Sequence, residues 1–229
     1  MGDWKYLSYP LGVATQGYGG GNIFFQKEEK RIVHGDSCNQ QQWSFSNHAG
    51  THIDFPRHFG GKEDLDSYLP SFWISHKTVL LDLSHSQQSV QPNQIVSWQD
   101  LLPVLPAYDV EFLFIKTGFC QFRAKDVYWR ENPGFSPELA KNLKEHFPSL
   151  RIFGFDVISL TSWGNRPLGR LAHKAFLNSS QPILLLEDMN LEFVNAMSNL
   201  HQVIVSPLFV QGADATPCTV LAFVEQKSK

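Results

Sequence analysis

Cysteine is scarce in this chain. Only Cys38, Cys120 and Cys218 occur, an odd number and far apart, so a disulfide framework is excluded and a reducing compartment is the default. Excess charge is also lacking. Nineteen basic residues face 22 acidic ones, a net charge of −3, which leaves no electrostatic footprint for nucleic acid. No apolar run reaches the ~20 residues that span a bilayer. The opening Met-Gly-Asp-Trp-Lys-Tyr has no apolar core of a signal peptide, and Tyr6 breaks the myristoylation pattern. These absences predict a soluble, cytoplasmic protein without membrane or nucleic-acid partners. Glycine is plentiful at Gly17, Gly19, Gly20 and Gly21, but no Lys-Ser or Lys-Thr follows, so this stretch is no phosphate cradle. Repeats and low-complexity segments are missing too. At 229 residues the chain is expected to form one domain, 1–229.

What is present is a concentration of ligand-type side chains. Ser46 to Phe59 reads Ser-Asn-His-Ala-Gly-Thr-His-Ile-Asp-Phe-Pro-Arg-His-Phe. His48, His52, Asp54 and His58 are spaced four, two and four apart. Neutral imidazole and carboxylate hold Zn²⁺, Mn²⁺ or Fe²⁺. An extended segment from 48 to 54 would span roughly 20 Å, so convergence on one ion needs a bend. Gly50 permits one, and Pro56 stops a regular helix. The expectation is a kinked loop gathering His48, His52 and Asp54, with His58 just beyond. Structural zinc sites usually close with cysteine, and none lies here, which favours an open, catalytic site over a structural one.

Around this stretch the pattern alternates strands and helices, an α/β reading. Val79–Leu83, Phe112–Lys116, Ile152–Val157, Ile183–Leu186, Val203–Val210 and Thr219–Val224 are apolar runs of strand length. Ser84-His85-Ser86 reads as a polar loop, and Lys27 to Arg31 as a solvated turn. Ser97 with Asp100 predicts a capped short helix. Ser136-Pro137-Glu138 opens another, with Ser136 as cap and Leu139, Leu143 and Phe147 as its apolar stripe. Leu168–Leu177 is expected to be helical and carries His173. Residues 123 to 135, with Tyr128 and Trp129, have the length of a lid or a dimer contact. Tyr18, Phe24, Phe55 and Trp73 are candidates for an aromatic pocket.

The run His-Ala-Gly-Thr-His-Ile-Asp-Phe-Pro-Arg-His resembles the signature of the Putative cyclase family of metal-dependent hydrolases, which includes bacterial kynurenine formamidase and isatin hydrolase. Weaker likeness extends from Pro10-Leu11 to the C-terminal strand, including Thr117-Gly118 and Gly212-Ala213-Asp214. The resemblance implies a swivelling β/β/α architecture, a mixed sheet with flanking helices, and a homodimer or higher oligomer. It implies one or two divalent ions, zinc first and manganese second, held by His48, His52, Asp54, His173 and Glu187, with Asp188 as the alternative carboxylate. Tyr18 takes the place of an aromatic residue that lines the substrate pocket, though Gln16 and Gly19 stand where the family has prolines. Thr161 replaces a family aspartate.

The expected chemistry is hydrolysis of a small aromatic amide, an arylformamide or cyclic amide, as in tryptophan catabolism. The metal activates water, and His58 is the general acid and base. A metal-dependent cyclase or dehydratase, and a non-catalytic metal-binding protein, are the competing readings.

Overall fold

The computed structural model describes residues 2–84 and 90–226. His85 and Ser86 of the expected polar loop lie outside the described residues. Among the described residues, thirteen strands occur in chain order: β1 Asp3–Tyr6, β2 Phe24–Lys30, β3 Gln40–Phe45, β4 His52–Asp54, β5 Ile74–Ser75, β6 Thr78–Asp82, β7 Ile95–Val96, β8 Phe112–Lys116, β9 Gly134–Phe135, β10 Ile152–Phe155, β11 Leu184–Glu187, β12 Ser198–Pro207 and β13 Ala215–Gln226. The helices are α1 Trp98–Leu101, α2 Asp126–Arg130, α3 Glu138–His146 and α4 Arg166–Leu177, with several 3-10 turns between them.

Nine strands form one mixed sheet in the order β5-β12-β13-β4-β11-β10-β8-β6, with β1 paired to β13. β6, at one end, packs against β12 near the other, so the sheet is nearly closed. The strands β6, β8, β10 and β11 run parallel. Parallel strands covered on both faces need near-continuous apolar sequence. Phe-Leu-Phe-Ile-Lys of β8, Ile-Phe-Gly-Phe of β10 and Leu-Leu-Leu-Glu of β11 supply it, and all three strands are buried throughout. α3 and α4 pack on each other, and α4 also lies on β11. The α3 stripe of Leu139, Leu143 and Phe147 is fully buried.

Three local expectations are corrected. α3 begins at Glu138 with Pro137, not Ser136, as its cap residue, and no side chain caps it; the Ser136 amide is spent on the Val96 carbonyl, pairing toward β7. Residues 123 to 135 are no lid, because Tyr128 and Trp129 are buried in the core. Lys27–Arg31 is not a turn: most of it belongs to β2, which pairs with β3 in a separate two-stranded ribbon. Its charges do face solvent, as expected. The Ser97 cap is present in full, with Asp100 accepting from the Ser97 amide and hydroxyl, both at 2.7 Å. No described helix is long and apolar enough to cross a membrane.

Candidate metal centre

Strand register builds the centre. In β4, His52 and Asp54 are two apart and therefore share a face. Antiparallel β11 lies alongside with Glu187 opposite His52, and directly opposed residues point the same way. Three donors thus come from two adjacent central strands. The remaining imidazoles come from three other directions. His48 sits in the loop before β4, where Gly50 takes φ of +62°. His58 is on the 3-10 turn Pro56–Phe59. His173 comes down from α4.

The distances are short. His52 Nε2 is 3.5 Å from Asp54 Oδ1 and 3.5 Å from Glu187 Oε2. His173 Nε2 is 3.4 Å from Glu187 Oε1 and 3.8 Å from Asp54 Oδ2. His48 Nδ1 is 3.1 Å from Asp54 Oδ1. Two donor groups, His48–Asp54–His58 and His52–Asp54–Glu187, each have their ligand atoms within 4.8 Å of one another, and they share Asp54.

The bonds behind these side chains fix their orientation. His52 Nδ1 meets the Gly50 carbonyl at 2.8 Å, and His173 Nδ1 meets the Gly169 carbonyl at 2.9 Å. A carbonyl only accepts, so both Nδ1 atoms carry the proton and both Nε2 atoms turn inward, the arrangement typical of ligating histidines. Thr161 Oγ1 also lies 3.2 Å from His173 Nδ1. The threonine that departs from the family aspartate therefore supports a candidate ligand through its hydroxyl. Glu187 Oε1 accepts from the Leu160 amide at 2.7 Å and from the Ser159 hydroxyl at 3.3 Å.

This donor set fits a divalent cation. His52 Nε2 and Asp54 Oδ1 are buried and have no hydrogen-bond partner. Burying ionised acids costs several kcal/mol each unless opposite charge compensates. An imidazole lone pair aimed at carboxylate oxygens is repulsive unless a proton or a cation lies between. Among the protein's own charges, burial opposes ionisation of Asp54, but the adjacent His48 imidazole and then His52 and His58 outweigh it and hold its pKa down. Burial likewise works against charging His48 and His173, yet Asp54 and Glu187 respectively pull their pKa values up. His58 moves the other way, pushed down chiefly by burial.

Asp188 is excluded from the centre. It takes a positive φ of 52°, and its carboxylate is gripped by Arg123, at 2.7 Å to Nη2, and by the Tyr128 hydroxyl. Glu187 is the carboxylate that converges.

A cavity of about 450 Å³ opens over the cluster, lined among others by Tyr18, Phe59, Ile158, Arg166 and Arg170. Tyr18 does line it, its ring 5.0 Å from Trp163. Gly19 has φ of +85°, and a Cβ there would fall 2.5 Å from the Trp163 ring. Proline, fixed near −65°, cannot hold that backbone, so the departure at 19 belongs to a loop folded onto Trp163. Phe55 and Trp73 are core residues and Phe24 lines a separate groove, so these three form no part of the pocket. Phe59 stands in it instead, stacked on His173 at 4.6 Å.

Three residues around the site carry no role in the sequence reading. Asp214 lies 3.3 Å from His58 Nδ1 and 4.0 Å from His48 Nε2, steadied by Asn47 at 2.8 Å. Arg166 and Arg170 lie on α4 with His173, and the i, i+4, i+7 spacing from 166 to 173 was a usable signal that the three share a face.

Comparison with known proteins agrees with this architecture. Isatin hydrolase A from Ralstonia solanacearum superposes with a TM-score of 0.76 at 18% identity, covering 98% of this chain and 92% of that one. A predicted metal-dependent hydrolase from Bacillus stearothermophilus gives 0.71 at 18% identity, covering 97% and 98%. An uncharacterized protein of Haemophilus influenzae is 32% identical over 113 residues, 47% of this chain and 75% of that protein. The family model described as "Putative cyclase" matches residues 6–161, about two thirds of the sequence, and the chain belongs to that family.

Proposed function

We propose that this protein is a metal-dependent hydrolase cleaving the carbon–nitrogen bond of a small aromatic amide, an arylformamide or cyclic amide. The observation that carries the reading is the pair of buried, unpartnered donors, His52 Nε2 and Asp54 Oδ1, at the floor of an open cavity. His48, His52, Asp54, His173 and Glu187 are the proposed ligands of one or two ions. Zinc suits the imidazole and carboxylate set, and manganese is the alternative. Such an ion supplies Lewis acidity and lowers the pKa of water.

The chain's own residues do the rest. Burial keeps the His58 ring neutral near pH 7, so it can accept a proton from water and return it to the leaving nitrogen. Asp214 holds its Nδ1 side. Tyr18 and Phe59 flank an aromatic substrate. Similarity of fold to isatin hydrolases supports the class of chemistry. The test is a metal assay by mass spectrometry with a screen of formylkynurenine, isatin and simple aryl formamides. Hydrolysis is expected, falling to background with a chelator and returning with zinc or manganese. Undiminished hydrolysis by the fully chelated protein would refute the metal role.

A homodimer is also proposed. The β2–β3 ribbon stands apart from the main sheet and exposes Trp43 on the side of a groove around which Tyr6, Phe193 and Phe209 are also exposed. Apolar exposure on this scale marks an interface. Sedimentation is expected to give twice the chain mass, falling to one for Trp43→Glu. A wild-type monomer at micromolar concentration would end the proposal.

A further inference from the structure

Acidic side chains lie at the floor of the cavity and basic ones at its rim. Asp54 and Glu187, the carboxylates that line it, are buried against the imidazoles, whereas Arg166 and Arg170 line its exposed side. The two arginines are one turn apart on α4, and His173 follows three residues after Arg170. At 100° per residue these three side chains fall within an arc of about 60°. The helix that delivers a candidate ligand to the floor thus sends two guanidinium groups to the rim.

Neither arginine has a carboxylate partner among the described residues. Arg166 lies against the Trp163 ring at 5.1 Å, a contact that positions the guanidinium and leaves its donors free. The adjacent Tyr18 hydroxyl is buried and has no hydrogen-bond partner. Two positive forks therefore face the cavity with no carboxylate acceptor among the described residues, and Tyr18 lines the cavity beside them. Guanidinium groups match carboxylates in a planar, two-bond geometry.

We propose that Arg166 and Arg170 form an anion subsite that selects substrates bearing a carboxylate. The inference rests on the amide-hydrolase reading and names its substrate class: an aromatic amide whose scissile carbonyl reaches the floor while a carboxylate remote from it engages α4.

The test compares formanilide with its 2-, 3- and 4-carboxylate derivatives on the metal-loaded protein. At least one carboxylate isomer is expected to exceed formanilide in kcat/KM by about tenfold to a hundredfold, the worth of charge-assisted hydrogen bonds. The advantage should reside in KM and shrink with salt. Arg166→Gln/Arg170→Gln should abolish it, lowering kcat/KM on the favoured carboxylate isomer at least tenfold more than on formanilide, and the double lysine variant should retain part of it. Equal use of formanilide and every carboxylate isomer, or a double glutamine variant that loses both substrates equally, would overturn the subsite while leaving the hydrolase reading intact. If no formamide is cleaved, calorimetry with anthranilate and aniline decides. Anthranilate should bind at least tenfold tighter, and the double glutamine variant should remove that difference while retaining its metal. A preference that survives the variant would assign the carboxylate to the ion and refute the proposal.

Discussion

Exchanging Asp54 for asparagine is expected to strip the chain of its divalent ion while leaving the sheet intact. Asp54 is the donor common to both groups of ligand atoms, and its side chain is only 1% exposed. Asparagine keeps the volume and removes the charge. Breaking a buried ionic contact by deleting one partner costs about 3–5 kcal/mol, or two to almost four powers of ten in affinity. Metal content measured after dialysis should fall from near stoichiometric to trace. A second readout is thermal: an ion present at 100 times its Kd stabilises by about 2.7 kcal/mol, which for a chain of this length raises Tm by roughly 5–10 °C. That rise should be present in the wild type and absent in Asp54→Asn. The comparison variant is Asp188→Asn. It should retain the ion but unfold more easily, because Arg123 would lose its buried counter-charge. Retention of metal by Asp54→Asn, or loss from Asp188→Asn alone, would reverse the assignment of the two acids.

That assignment shows where sequence reasoning was sufficient and where it stopped. His48, His52, Asp54 and His58 were legible because one short segment held them all and the bend between them had a local cause in Gly50 and Pro56. His173 and Glu187 were legible through resemblance, and the structure brings both to the same floor. The choice between Glu187 and Asp188 is not legible: alternation allows only one of the two to share a face with His52, and the register that picks Glu187 comes from the pairing of β11 with β4. Asp214 was out of reach. It lies 156 residues from His58, and only the β13–β4 pairing, Ala215 opposite Asp54, puts it beside the site. The β2 strand is hidden in the sequence for a different reason. Lys27 to Lys30 is exposed on both faces, so no alternation of apolar residues marks it. The α/β class needed none of this detail, since apolar runs of strand length alternate with helical stretches; that β8, β10 and β11 run parallel is given by their pairing.

Replacing His58 by alanine should lower kcat/KM for the aryl formamide by about 10²- to 10⁴-fold, the usual worth of a positioned general acid or base, with metal content unchanged. The second condition decides between two roles. His58 belongs to a candidate donor group with His48 and Asp54, and its ring centroid is 4.3 Å from that of His48. As a ligand it would take the ion with it when removed. Its surroundings favour proton transfer instead. Burial, followed by the adjacent His48 and His173, lowers its pKa against the pull of Asp54 and Glu187, so the ring is a neutral base at pH 7. In the proposed mechanism Asp214, 3.3 Å from Nδ1, orients the ring and stabilises the imidazolium formed when Nε2 takes a proton. Asp214→Asn should therefore reduce kcat by about tenfold or more with KM and metal content little changed, as expected for a partner that orients a base. Should His58→Ala release the ion, the histidine is a sixth ligand and the proton must be moved by another group. Should it retain both ion and full activity, water alone carries the proton and the His58–Asp214 pair has no part in the chemistry.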